Sequence, residues 1–159
     1  MKYAIALLPM LALLSACGQA DGELTPGNWK STMTMTKFDI PGAPIAMAQN
    51  AKAMLGKSQS TDNCVTPAMA KAGVKDMSSS MQQGDCKMED YKQSGGKMSG
   101  TMKCTSSAMG ATSMAMSGTY TAEKVGMTLS GEIADAKLPG GKANIEMTIN
   151  SERTGDCKK

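Results

Sequence analysis

Ala143-Asn144-Ile145-Glu146-Met147-Thr148-Ile149-Asn150 alternates apolar with polar side chains at every step. A period of two places Ala143, Ile145, Met147 and Ile149 on one face of an extended strand and the polar residues on the other, which is the signature of a half-buried β-strand. The same rhythm runs through most of the chain. Trp29, Met33 and Met35 alternate with Lys30, Thr32, Thr34 and Thr36, and Met114, Met116 and Tyr120 with Ser113, Ser117, Thr119 and Thr121. Val125, Met127, Leu129 and Ile133 alternate with Thr128, Ser130 and Glu132. Turn signals fall between these runs at Ser94 to Gly96, near Met109-Gly110, at Glu123-Lys124 and at Leu138-Pro139-Gly140-Gly141. With a short strand around Gln59 to Val65, the reading is all-β: an antiparallel up-and-down meander of about seven strands, as a curved sheet or partly closed barrel. A two-layer sandwich is the alternative.

Two early stretches break the alternation. Ile45 to Leu55, inside an Ala-, Met- and Pro-rich segment from Pro41 to Gly56, reads as a short amphipathic helix or a mobile flap. Thr66-Pro67 has the form of a helix start, with Thr66 as N-cap and Pro67 at the first helical position, and the helix is expected to end near Gly73. A polar linker from Asp76 to Gly84 is expected to follow.

The N-terminus carries a different kind of information. Behind Lys2 an apolar run from Ala4 to Leu14 ends in Leu14-Ser15-Ala16-Cys17, the layout of an export signal with a lipobox, too short to span a bilayer as a helix. Residues 1–16 are therefore expected to be a lipoprotein signal peptide, residues 17–25 a lipidated N-terminus and short tether, and 26–157 a single β domain. An ordinary secretory signal is the competing reading. Cys17 would take a diacylglycerol thioether, several acyl chains would hold the protein to a bilayer, and Gly18 favours the outer over the inner membrane. The implied location is the periplasmic face of the cell envelope.

Four further cysteines, Cys64, Cys86, Cys104 and Cys157, are an even number in an exported chain, so two disulfides are expected. A hairpin folded about Gly95 sets Cys86 opposite Cys104 and Met88 opposite Met102, with Met98 on the same face and Glu89, Tyr91, Ser99 and Thr101 on the other, whereas a glycine bulge would shift this register by one residue. Cys64 then pairs with Cys157 by elimination.

The whole chain carries 17 basic and 14 acidic residues, and losing residues 1–16 removes only Lys2, leaving 16 against 14, a net charge of +2. Apart from the Lys158-Lys159 pair, basic residues are scattered singly, so nucleic acid is not an expected partner. The chain contains no histidine, which removes the commonest general base and metal ligand and excludes a Ser-His-Asp hydrolase. Asp85, Glu89, Asp90 and Asp156 read as solvated carboxylates. No enzymatic activity and no cofactor are expected.

Seventeen methionines against one Trp, one Phe and three Tyr make methionine the main large apolar residue. Two functional readings follow. Trp29, Met33, Met35, Met88, Met102, Met114, Met116 and Met127 would line a pocket for an apolar small molecule if the interior were hollow, with Gly100, Gly118 and Gly131 leaving space or marking bends. Met33, Met35, Met114 and Met116 would supply soft thioethers for Cu(I) or Ag(I). The bland reading makes the methionines adaptable core filler, and the protein a structural or protein-interaction module of the envelope.

Pro26-Gly27-Asn28-Trp29, Met33-Thr34-Met35, Cys64-Val65-Thr66-Pro67, the internal Cys86 and Cys104, and Arg153-Thr154-Gly155-Asp156-Cys157 together resemble a family of exported bacterial proteins without assigned activity, the domain-of-unknown-function family numbered 3617. The likeness spans nearly all of the chain after the signal. Position 65 is Val where that family often has Leu. The resemblance supports the fold and the cysteine pairing and implies no catalytic residues.

Overall fold

The computed structural model describes residues 20–80, 86–105 and 111–158. The alternating runs become β1 (Gly27–Asp39), β2 (Ser58–Val65), β3 (Cys86–Ser94), β4 (Lys97–Cys104), β5 (Ala111–Tyr120), β6 (Lys124–Ala134) and β7 (Lys142–Gly155). Helix α1 (Ile45–Met54) joins β1 to β2, and α2 (Pro67–Ser80) leads from β2 towards β3. The signal segment, Cys17, Asp85 and the turn at Met109-Gly110 lie outside the described residues.

All seven strands form one antiparallel sheet in the order β2-β1-β7-β6-β5-β4-β3. From β3 to β7 each strand pairs with its successor, and β7 then returns to pair with β1. The chain thus begins inside the sheet, places β2 at one edge and resumes with β3 at the other. A single sheet rules out the sandwich, and its ends do not meet, so of the two expected forms the open sheet is present and the β-barrel is corrected. The edge strand β2 explains this. Its Gln59, Thr61 and Asn63 occupy the face that the other strands use for the core and are exposed, so rolling that edge inward would bury little apolar surface.

One face of the sheet carries the core. Trp29, Met98, Met102, Met114, Met116, Tyr120, Val125, Met127, Leu129, Ile133 and Ile145 are buried together, with Ala70 and Val74 from α2 and Leu24 from the segment before β1. Thr66 caps α2, its Oγ1 accepting from the Met69 amide at 3.3 Å. The helix kinks at Gly73, where φ is 67°. It then continues to Ser80, so residues 76–80, expected in a linker, are helical. The kink lets two backbones meet: a Cβ on Gly73 would strike Gly22, whose carbonyl accepts from the Val74 amide at 3.0 Å.

The β3–β4 hairpin turns through Gly95 and Gly96, with φ of 57° and 76°, the paired left-handed geometry that glycine adopts freely. A two-residue turn alone would set Cys86 opposite Thr105. A bulge restores the expected pairing: Asp90 (φ 51°) and Tyr91 together face Gly100, and Cys86 meets Cys104. The bulge also turns Tyr91 inward against the core, correcting the expectation that it faces solvent. A second bulge, at Thr36, does the same for Phe38 on β1.

The inward glycines answer the question of space. A Cβ on Gly118 would come within 2.8 Å of Met98 Cε and 3.0 Å of Met127 Cβ, and one on Gly131 within 2.8 Å of Met114 Cα. They permit close approach of neighbouring strands and side chains and leave no room for a Cβ. Gly131→Ala is accordingly expected to destabilise the fold by about 1–3 kcal/mol, the usual cost of overpacking, as a lower urea midpoint. An unchanged midpoint would mean that the strands there have room to part.

Candidate functional site

Six residues ahead of β1 tie one end of the sheet together. The Leu24 amide donates to the Ala70 carbonyl of α2 at 2.9 Å, and the Thr25 amide to the Ala122 carbonyl of the β5–β6 turn at 2.7 Å. Asp21 is the hub. Its carboxylate accepts from the Tyr120 hydroxyl at 2.6 Å and the Gly95 amide at 3.1 Å, and its carbonyl accepts from Gln93 Nε2 at 3.2 Å. Residues 20–25, read from the sequence as tether, are thus joined to α2, the β3–β4 hairpin and β5. We call this the anchor end, because residues 20–25 are fastened to the sheet here.

The Tyr120 hydroxyl, followed by the Gly95 amide, holds the Asp21 carboxyl below the usual aspartate range, while burial and then Asp21 itself push the Tyr120 hydroxyl up. Because the folded value for Asp21 lies below the unfolded one, its contribution to stability is present above the ordinary aspartate range and is lost as pH falls through the lower folded value. Acid titration followed at the Gly95 amide by NMR is expected to report this step, and Asp21→Asn to abolish it. A step that persists in Asp21→Asn would assign it to another carboxylate.

The same end gathers three of the segments that carry the family resemblance, Pro26 to Trp29, Cys64 to Pro67 and Arg153 to Cys157. Arg153 Nε donates to the Pro26 carbonyl at 2.8 Å, and its guanidinium meets Asp156 at 2.7 Å. Asn28 Nδ2 donates to Thr154 Oγ1 at 2.9 Å, and Trp29 Nε1 to the Thr25 carbonyl at 2.9 Å. A disulfide joins Cys64 to Cys157, across the start of β1, and Cys86–Cys104 closes the β3–β4 hairpin at the opposite end of the sheet. Both expected pairings are present. These contacts build a corner of the fold, which explains the motifs without a reaction.

The residues of the expected pocket separate into three groups. Trp29, Met102, Met114, Met116 and Met127 are buried in the packed core, with Met88 and Met35 partly buried beside it, whereas Met33 is 42% exposed. The two thioether pairs are not neighbours in the sheet. Met35 reaches Met116 only through Met147 and Leu129, three strand steps or about 14 Å along the sheet. Two of the cavities, about 490 Å³ each, are lined largely by outward residues such as Thr119, Gly126 and Asn150 and lie over the polar face. Among the described residues, no group of three or more His, Cys, Asp or Glu is placed to hold a metal ion. Glu89 and Asp156, considered as acids, sit in surface ion pairs with Lys103 and Arg153.

Sequence reasoning did not find the apolar surface around α1. Ile45, Met47 and Met54 are exposed there, and Ala51 is buried. The helix connects the far end of β1 to β2, and the Gly56 amide donates to the Met35 carbonyl at 2.9 Å. This surface therefore lies towards the end of the sheet opposite Asp21.

An open antiparallel sheet with a methionine-rich core and two disulfides defines a small disulfide-stapled β domain. The chain belongs to the family of proteins of unknown function DUF3617, whose model matches residues 24–157. No curated protein and no solved structure matches it.

Proposed function

We propose that this protein is a lipid-anchored protein on the periplasmic side of the bacterial envelope, with a non-catalytic structural or protein-interaction role. The observation that carries the reading is the cysteine arrangement: the two disulfides account for every cysteine except Cys17, the one at the lipobox. Paired cysteines fit an oxidising compartment, and the remaining one stands where a lipoprotein signal is cut. The exposed Ile45, Met47 and Met54 of α1 and the neighbouring β1 residue Met33 supply an apolar surface of the kind that protein partners cover.

Mass spectrometry of the protein made in a bacterial host tests the anchor. A mature chain that begins at Cys17 and carries diacylglycerol is expected, and processing is expected to stop in Cys17→Ser. A mature chain beginning elsewhere without lipid would overturn the reading. Membrane fractionation of the same sample tests the preference for the outer membrane.

The carrier and metal readings are tested by native mass spectrometry of residues 18–159 with and without Cu(I). The packed methionines favour a bare mass in both samples. A retained acyl compound would restore the carrier, and a tight copper adduct lost when Met33 and Met35 become Leu would restore the metal site.

A further inference from the structure

Resting on the reading that Cys17 bears the acyl chains, we propose that the anchor end of the sheet lies directly against the lipid headgroups and that α1 points away from that bilayer. The argument is the length of chain left between the lipid and the first fixed residue. Ala20 is already held, its amide donating to Glu23 Oε2 at 3.3 Å and its carbonyl accepting from the Glu23 amide at 3.0 Å. Next to it, Asp21 is hooked by Gln93, Gly95 and Tyr120. From Cys17 to Ala20 is three residue steps, at most about 11 Å of extended chain. A domain of this size has a radius of gyration of about 14 Å, so the tether is shorter than the body it holds. The domain cannot turn over on it.

The surface brought to the headgroups includes the β3–β4 and β5–β6 turns, beside the start of α2 with its exposed Met69. Ser94, Gly95, Lys97, Thr121, Glu123 and Lys124 are exposed in these turns, and none has an apolar side chain suited to entering the hydrocarbon. This end would rest on the headgroup layer while the acyl chains do the anchoring. The 13 residues of β1 carry the chain about 40 Å from this end before α1 begins, and after α1 the chain returns only to the level of Met35, about 26 Å along β1, so Ile45 and Met54 are out of reach of the same leaflet. Their apolar surface then faces the interior of the periplasm, where a protein partner is found.

The test uses the full acylated chain in vesicles of phosphatidylethanolamine and phosphatidylglycerol, with a photoreactive side chain placed at Ser94, Glu123 or Ile45, all exposed positions. Lipid adducts are expected at Ser94 and Glu123, on the order of tenfold above Ile45, because a short tether fixes the local lipid concentration. Inserting about 20 Gly-Ser residues between Gln19 and Ala20, about 25 Å of flexible chain, is expected to level the three sites. Equal yields in the unlengthened chain, or a higher yield at Ile45, would overturn the orientation. The mass of Cys17 is read on the same sample, so a missing acyl group, which would sink the anchor itself, is distinguished from a wrong orientation.

Discussion

Replacing Cys64 and Cys157 together with Ser is expected to cost about 4–5 kcal/mol of unfolding free energy, the larger of the two disulfide effects in this protein. The reason lies in the unfolded chain. The bond closes a loop with a sequence separation of 93, whereas Cys86–Cys104 spans 18, for which the same chain-entropy relation gives about 3 kcal/mol. The native contacts point the same way. Cys64–Cys157 ties the edge strand β2 to the tail of β7 across β1, while Cys86 and Cys104 already face each other in a hairpin ladder. Urea unfolding of the two double-serine variants checks the order. Equal losses, or a greater loss for Cys86 and Cys104, would show that the edge at β2 is held by its hydrogen bonds rather than by the crosslink.

Trp29→Ala is expected to destabilise the domain by about 3–5 kcal/mol, as for a large buried aromatic. Trp29 is 2% exposed, and its indole N–H is the donor to the Thr25 carbonyl, so the substitution removes core volume and the partner that holds the segment before β1. Trp29→Phe keeps most of the ring and is expected to lose less, including about 1 kcal/mol for the missing hydrogen bond. Met33→Ala, four residues along the same strand, is expected to stay within about 0.5 kcal/mol because that side chain is 42% exposed. Unfolding followed by circular dichroism compares them without relying on the tryptophan. A Met33→Ala loss as large as that of Trp29→Ala would mean that something covers the open part of the sheet.

The contrast between these two residues shows where the linear pattern stops. Trp29 and Met33 share one alternating run and face the same way, but their burial depends on what lies beside and above them. Trp29 has Thr25 and the core residues around it, whereas Met33 pairs with Gln59 of the polar edge strand on one side and with Ile149 on the other. Of the residues read as a single methionine pocket, five are buried in the core, two are partly buried and Met33 is open, a division that no spacing in the sequence expresses. The Asp21 hub was equally hidden. A lone aspartate six residues ahead of the first strand has no pattern, and its partners Gln93, Gly95 and Tyr120 come from distant parts of the chain.

By itself the sequence determined the strands, the face each side chain takes along an unbroken strand, the capped start of α2, the presence of two disulfides and the family. These are local properties: a period of two, a Thr-Pro start, an even cysteine count and a hairpin with glycines at its midpoint each express backbone geometry within a few residues. Only the tertiary structure decided that β7 returns to β1, that the sheet stays open, that bulges at Thr36 and Asp90 turn Phe38 and Tyr91 into the core, and that residues 20–25 belong to the domain. Each of these depends on which backbone lies opposite, and that is settled by the summed burial and hydrogen bonding of segments far apart in the chain.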